Sequence, residues 1–153
     1  MMRRSFLSLL FLAVALTTSV GSGAARAQEG GVPMMLPVPD QRAIRQVIES
    51  QIQAFLRDDG AAAFSFATPS IQSQFQSPDV FMQMVRTGYQ PVYRPQAVTF
   101  KDIVEFNGGP AQRVVVIGPD GVPVLAVYPM RQMPDGVWRI DGCFILAFSR
   151  DDA

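Results

Sequence analysis

The chain has 153 residues, 13 basic and 13 acidic side chains, no histidine and one cysteine. That length suits a single domain. The missing histidine removes the commonest general base and zinc ligand, and the lone Cys143 rules out an internal disulfide or a CxxC site. Balanced, scattered charge lacks the basic patch of a nucleic-acid binder, so no nucleic-acid partner is expected.

Met1-Met2-Arg3-Arg4-Ser5 is basic, Leu9 to Leu16 is unbroken apolar sequence, and Ala25-Arg26-Ala27 has the small-residue form of a cleavage site. The three together predict a secretory signal peptide over residues 1–27, cut after Ala27, and a periplasmic or secreted protein. The apolar run is far too short to span a bilayer, so no stable membrane anchor is expected after cleavage. Arg3-Arg4-Ser5-Phe6-Leu7 also fits the twin-arginine form, which leaves the export route open. Cleavage would remove Arg3, Arg4 and Arg26, leaving 10 basic against 13 acidic residues.

Residues 28–39, QEGGVPMMLPVP, read as a flexible Pro/Gly/Met arm. A single α+β domain is expected over 40–149, with 150–153 a frayed tail. Asp40 is placed to cap a helix whose Ile44, Val47, Ile48, Ile52, Phe55 and Leu56 recur every three or four residues, and Gly60 to stop it. Ala61–Ala67 reads as a short helix. Thr68-Pro69 and Ser77-Pro78 each open another, since proline suits the first helical position, and Gly88 closes the last.

Beyond Tyr89 the period becomes two. Strands are expected at 97–106, 112–117, 122–131 and 137–148, separated by Asn107-Gly108-Gly109-Pro110, Pro119-Asp120-Gly121 and Pro134-Asp135-Gly136. Short turns make these neighbours antiparallel. The predicted fold class is therefore α+β, with N-terminal helices packed on one face of a curved four-stranded meander. In the last strand, alternation puts Trp138, Ile140, Phe144, Leu146 and Phe148 on one face and Cys143 on the other.

Two stretches carry a resemblance. One runs from Ala54-Phe55-Leu56-Arg57-Asp58-Asp59 through Ala63-Phe64-Ser65-Phe66-Ala67-Thr68-Pro69 to Gly88-Tyr89-Gln90-Pro91-Val92-Tyr93-Arg94-Pro95; the other is Asp135-Gly136-Val137-Trp138-Arg139-Ile140-Asp141-Gly142-Cys143. Together they resemble the bacterial family known as domain of unknown function 4864 over nearly all of residues 40–148. The resemblance brings no activity with it. Its helix-then-sheet order is similar to the nuclear-transport-factor-2-like, cystatin-related cone folds, which host enzymes, binding modules and dimerisation domains alike.

Four residues stand out as candidates for a site. Alternation from Val98 through Phe100 to Val104 and Phe106 puts Asp102 on the apolar side of its strand, where a carboxylate can act as an acid or base. The plainer reading is a β-bulge near Lys101 that turns it to solvent. Tyr89, Tyr93 and Arg94, in a proline-rich connector, are candidate ligand-binding groups at the mouth of a cone; the plainer reading makes them wedges and a surface ion pair. Cys143 reads as a packing residue, because a reactive thiol needs a nearby cation and Arg139 is too distant along the strand. The methionines form no dense run, and no metal site or cofactor is expected. Two functional readings remain. One is a non-catalytic module for a small apolar ligand or an envelope protein partner, dimerising through its outer sheet face. The other is a cone-fold isomerase or hydratase with Asp102 as general base and Tyr89 or Tyr93 as donor.

Overall fold

The computed structural model describes residues 31–153; the signal peptide expected over residues 1–27, its cleavage site and the first three residues of the expected arm lie outside them. The fold is α+β. Strand β1 (Val32–Pro33) precedes five helices, α1 (Val38–Leu56), α2 (Gly60–Ser65), α3 (Pro69–Phe75), α4 (Pro78–Gly88) and α5 (Gln90–Tyr93). Strands β2 (Ala97–Phe106), β3 (Gly109–Ile117), β4 (Pro123–Gln132), β5 (Trp138–Ile140) and β6 (Phe144–Ala147) follow, then a 3-10 turn, Arg150–Asp152.

The N-terminal expectations need correcting at three points. Val32 and Pro33 pair with Glu105 and Val104, and the Met34 N–H donates to the Ile103 carbonyl at 2.8 Å, so the described part of the expected arm adds an edge strand. The first helix starts at Val38, placing Asp40 in its first turn. There its carboxylate suits the positive end of the helix dipole and accepts from Trp138 Nε1 at 3.0 Å. At the other end the left-handed residue is Asp58 (φ 54°), not Gly60. Gly60 begins α2 instead, where a side chain would sit 2.7 Å from Met82 Cγ. Asp59 caps that helix through the Ala62 N–H, while Thr68 and Ser77 cap α3 and α4 ahead of their prolines.

The sheet is antiparallel, open and six-stranded, in the order β1-β2-β3-β4-β5, with β6 also pairing with β4. The expected last strand is broken in two by a bulge. Ile140 pairs with Met130 and Phe144 with Val127, so three residues, Asp141-Gly142-Cys143, oppose two on β4. One extra residue reverses the sense of alternation beyond it. Trp138 and Ile140 stay in the helix-covered core, but Cys143 and Ile145 now join that face and Leu146 moves to the other. Gly142 supplies the extra residue at φ 156°, in a region that only glycine enters readily.

A second bulge lies in β2. Phe100 pairs with Val114 and Ile103 with Gln112, leaving Lys101 and Asp102 opposite Arg113 alone. Val98, Phe100 and Ile103 pack on the helices, whereas Val104 and Phe106 cross to the outer face. The bulge frees the Lys101 carbonyl, and the buried Gln112 side chain donates to it at 2.7 Å.

Most of the core lies between the helices and the inner sheet face. Ile44, Ile48, Ile52 and Phe55 of α1 pack with Phe81 and Val85 of α4 against Val114, Ala126 and Tyr128. A smaller outer cluster joins Val104, Ala111, Leu125 and Val127, flanked by Phe106 and Leu146. The expected frayed tail folds back onto this side. Asp152 is buried, accepts from Ser149 N and Oγ at 2.8 Å, and pairs with Arg113 at 3.1 Å.

Candidate functional site

Between α1, α4 and the inner sheet face lies a cavity of about 470 Å³. That is within the size range of small-molecule sites. Its helical wall is apolar, built from Phe55, Phe75, Phe81, Met84 and Val85. The sheet side carries Tyr128 of β4 and the Asp141-Gly142-Cys143 bulge. Tyr89, at the end of α4, and Gln51, on the buried face of α1, add the remaining central polar groups.

Tyr128 is fully buried, and its hydroxyl has no hydrogen-bond partner among the described residues. Burial pushes its pKa well above the ordinary tyrosine value, and the neighbouring Cys143 adds to this. The two groups lie near enough to influence each other but do not meet in hydrogen-bond geometry. Cys143 keeps some surface open, yet the protein packed around its sulfur pushes the thiol up to about 12, an effect the Tyr128 hydroxyl partly offsets. Burial raises Tyr89 as well. All three are therefore neutral at pH 7 and able to donate.

Asp141 alone among the lining residues carries a charge, and both its oxygens are engaged. Oδ1 accepts from Thr68 Oγ1 at 2.7 Å and Oδ2 from Arg131 Nη2 at 2.7 Å. Gln51 Nε2 is likewise committed, donating to the Ala63 carbonyl at 3.0 Å. Apart from Asp141, the polar lining residues are thus uncharged: Tyr128, Tyr89, Cys143, Gln51 and Gln74.

Only one of the four expected site residues lines this cavity, and it is Tyr89. Asp102 is exposed in the β2 bulge, with Arg113 Nε and Nη2 each 2.8 Å from its Oδ1. Arg113 shares its side of β3 with Ala111 and Val115 of the outer cluster, so this ion pair stands on the face away from the cavity. This is the β-bulge of the plainer reading, and the alternative, a general-base role for Asp102, is corrected accordingly: the bulge removes it from the inner face.

Tyr93 and Arg94 are also displaced from the expected mouth. The Tyr93 hydroxyl donates to Asp58 and accepts from Arg86 Nε at 3.2 Å. Arg94 lies 3.9 Å over the Tyr93 ring and donates to Asp58 Oδ2 at 2.8 Å, so the two residues bind the ends of α1, α4 and α5 together. Arg139, the cation considered for Cys143, instead donates to the Ser65 carbonyl at 2.6 Å.

The sequence profile of a family described as "Domain of unknown function (DUF4864)" matches residues 37–153. The chain belongs to this family. No curated protein and no solved structure matches this DUF4864 chain. Within the DUF4864 match, the residues that sequence reasoning missed are Tyr128, Gln51 and Asp141. For Tyr128 the available signal was its alternation with Ala126 and Met130 on the inner face of β4.

Proposed function

We propose that this chain is an exported, non-catalytic module that holds one small, largely apolar molecule in the cavity between its helices and its sheet. The observation that carries this reading is the Tyr128 hydroxyl, buried at the cavity and without a partner among the described residues. An unpaired buried hydroxyl costs about 1–3 kcal/mol. Retaining one beside a cavity makes sense where a ligand supplies the missing partner. Export rests on the basic, apolar and Ala-x-Ala segments of residues 1–27.

Titration with an uncharged environment-sensitive dye such as Nile red tests the reading. One saturable site with blue-shifted emission is expected. Met84→Trp, which fills the space from a half-buried position on α4, should abolish it. A signal that never saturates, or that survives Met84→Trp, overturns the proposal.

A second reading, self-association through the outer sheet face, is favoured by Phe144. It is 46% exposed and packs 5.2 Å from Phe106. Light scattering should then give twice the chain mass at micromolar concentration, and a constant monomeric mass ends this reading.

A further inference from the structure

We infer that the cavity selects an uncharged molecule bearing a carbonyl group, whose oxygen accepts a hydrogen bond from Tyr128. This rests on the binding role proposed above and adds the ligand's chemistry. The inference starts from the supply of donors and acceptors. Tyr128, Tyr89 and Cys143 are among the lining residues, the Tyr128 hydroxyl is buried without a partner among the described residues, and burial keeps all three groups protonated at neutral pH. The strongest lining acceptor, Asp141, is already used by Thr68 and Arg131. A carbonyl oxygen supplies the acceptor that the buried Tyr128 hydroxyl lacks, whereas a bare hydrocarbon leaves that hydroxyl unpaired.

Charge narrows the class further. No lysine or arginine lines the cavity, and Asp141 places a carboxylate at its edge. A carboxylate or phosphate ligand would lose its hydration with no lining cation in return, since Arg131 is already paired with Asp141. Arg94, the group expected to receive such an anion, is turned to Asp58 and to the Phe55 carbonyl. The aromatic wall formed by Phe55, Phe75 and Phe81 suits a flat or ring-shaped apolar body.

Ligand-observed NMR with three probes of similar size provides the test: acetophenone, ethylbenzene and benzoate. Ethylbenzene leaves Tyr128 unpaired before and after binding. Acetophenone gives up a hydrogen bond to water but supplies a partner the hydroxyl lacks, so it should bind about tenfold more tightly. Benzoate should not bind. Tyr128→Phe should erase the preference while keeping ethylbenzene affinity, and Tyr89→Phe should retain the preference. Equal binding of the two neutral probes overturns the inference but leaves the cavity's binding role standing. Tightest binding of benzoate, or a preference that follows Tyr89 rather than Tyr128, overturns it equally. Failure of all three probes, together with the dye, removes the binding role itself.

Discussion

Thr68 Oγ1 donates to Asp141 Oδ1 over 2.7 Å, joining residues 73 positions apart. The same threonine caps α3 through the Ile71 N–H, and its own N–H donates to the Ile140 carbonyl at 2.9 Å. One buried side chain thus fastens the helical layer to the bulge that forms the cavity wall. Its backbone contact would survive a change of side chain, but the cap and the carboxylate contact would not. Thr68→Val, similar in shape but without the hydroxyl, should lower unfolding free energy by about 1–3 kcal/mol. Thr68→Ser should recover most of the loss. Urea denaturation monitored by circular dichroism reads both, and equal stability of the two variants would show that the hydroxyl contributes nothing.

Tyr128→Phe should behave in the opposite way from an ordinary buried-tyrosine truncation. Because the hydroxyl has no partner among the described residues, removing it relieves desolvation without breaking a bond. Stability should be unchanged or higher by up to about 1 kcal/mol, read as a higher melting temperature of the ligand-free protein. A clear loss would mean that the hydroxyl is already paired and has nothing to offer a ligand.

Asp58 contributes to the acid limb of stability. The Tyr93 hydrogen bond lowers its pKa most; partial burial opposes this, and the charge of Arg94 lowers it further. A carboxylate depressed in the folded state stabilises above its unfolded pKa, near 4, and loses that contribution as pH falls through the folded value. Asp58→Asn should therefore flatten stability against pH below about 4. Asparagine also tolerates the left-handed backbone at this position (φ 54°). Urea midpoints between pH 2 and 6 check this, and parallel curves for the two proteins would refute it.

Cys143 and the tyrosines contribute to the alkaline limb. The thiol is raised to about 12 by burial, so its contribution is intact below its unfolded pKa of about 8.5 and is lost as pH climbs towards the folded value. Tyr128 and Tyr89, raised in the same way, add their loss only above about pH 10. Cys143→Ala should therefore remove the decline between about pH 8.5 and 10. At pH 8 the native thiol should react with iodoacetamide far more slowly than in the unfolded chain, because little thiolate is present. Comparable native and unfolded rates would contradict the buried, neutral thiol.

The legible part of this fold lay where local chemistry decides the outcome. Thr68-Pro69 and Ser77-Pro78 open helices because each pairs a capping hydroxyl with a proline that needs no N–H partner. The Ile44–Phe55 face of α1 is buried as its spacing indicates. Side-chain direction beyond a bulge was not legible in this way. At Lys101-Asp102 the plainer reading, a bulge that turns Asp102 to solvent, is the one found, but strict alternation carried past it sends Val104 and Phe106 to the wrong face. At the second bulge Gly142 was a usable signal, since a glycine inside a strand often marks an inserted residue. For Tyr93 and Arg94 the plainer reading of a wedge and a surface ion pair is the one found, but the partner was not legible: Asp58 lies 35 and 36 residues away, and only the packing of α1 against α4 and α5 brings it near.

The inserted residue in the Asp141–Cys143 bulge makes the cavity depend on residue number as well as residue type. Deleting Gly142 would leave every side chain chemically unaltered while restoring continuous alternation between β5 and β6. Cys143 and Ile145 would then face outward, and Phe144 and Leu146 would turn inward into space already occupied by the helices. A homologous chain one residue shorter here would thus present a different interior from a nearly identical sequence. Among relatives, the spacing between Ile140 and Phe144 is accordingly a more telling guide to a shared ligand than the identity of any single lining residue.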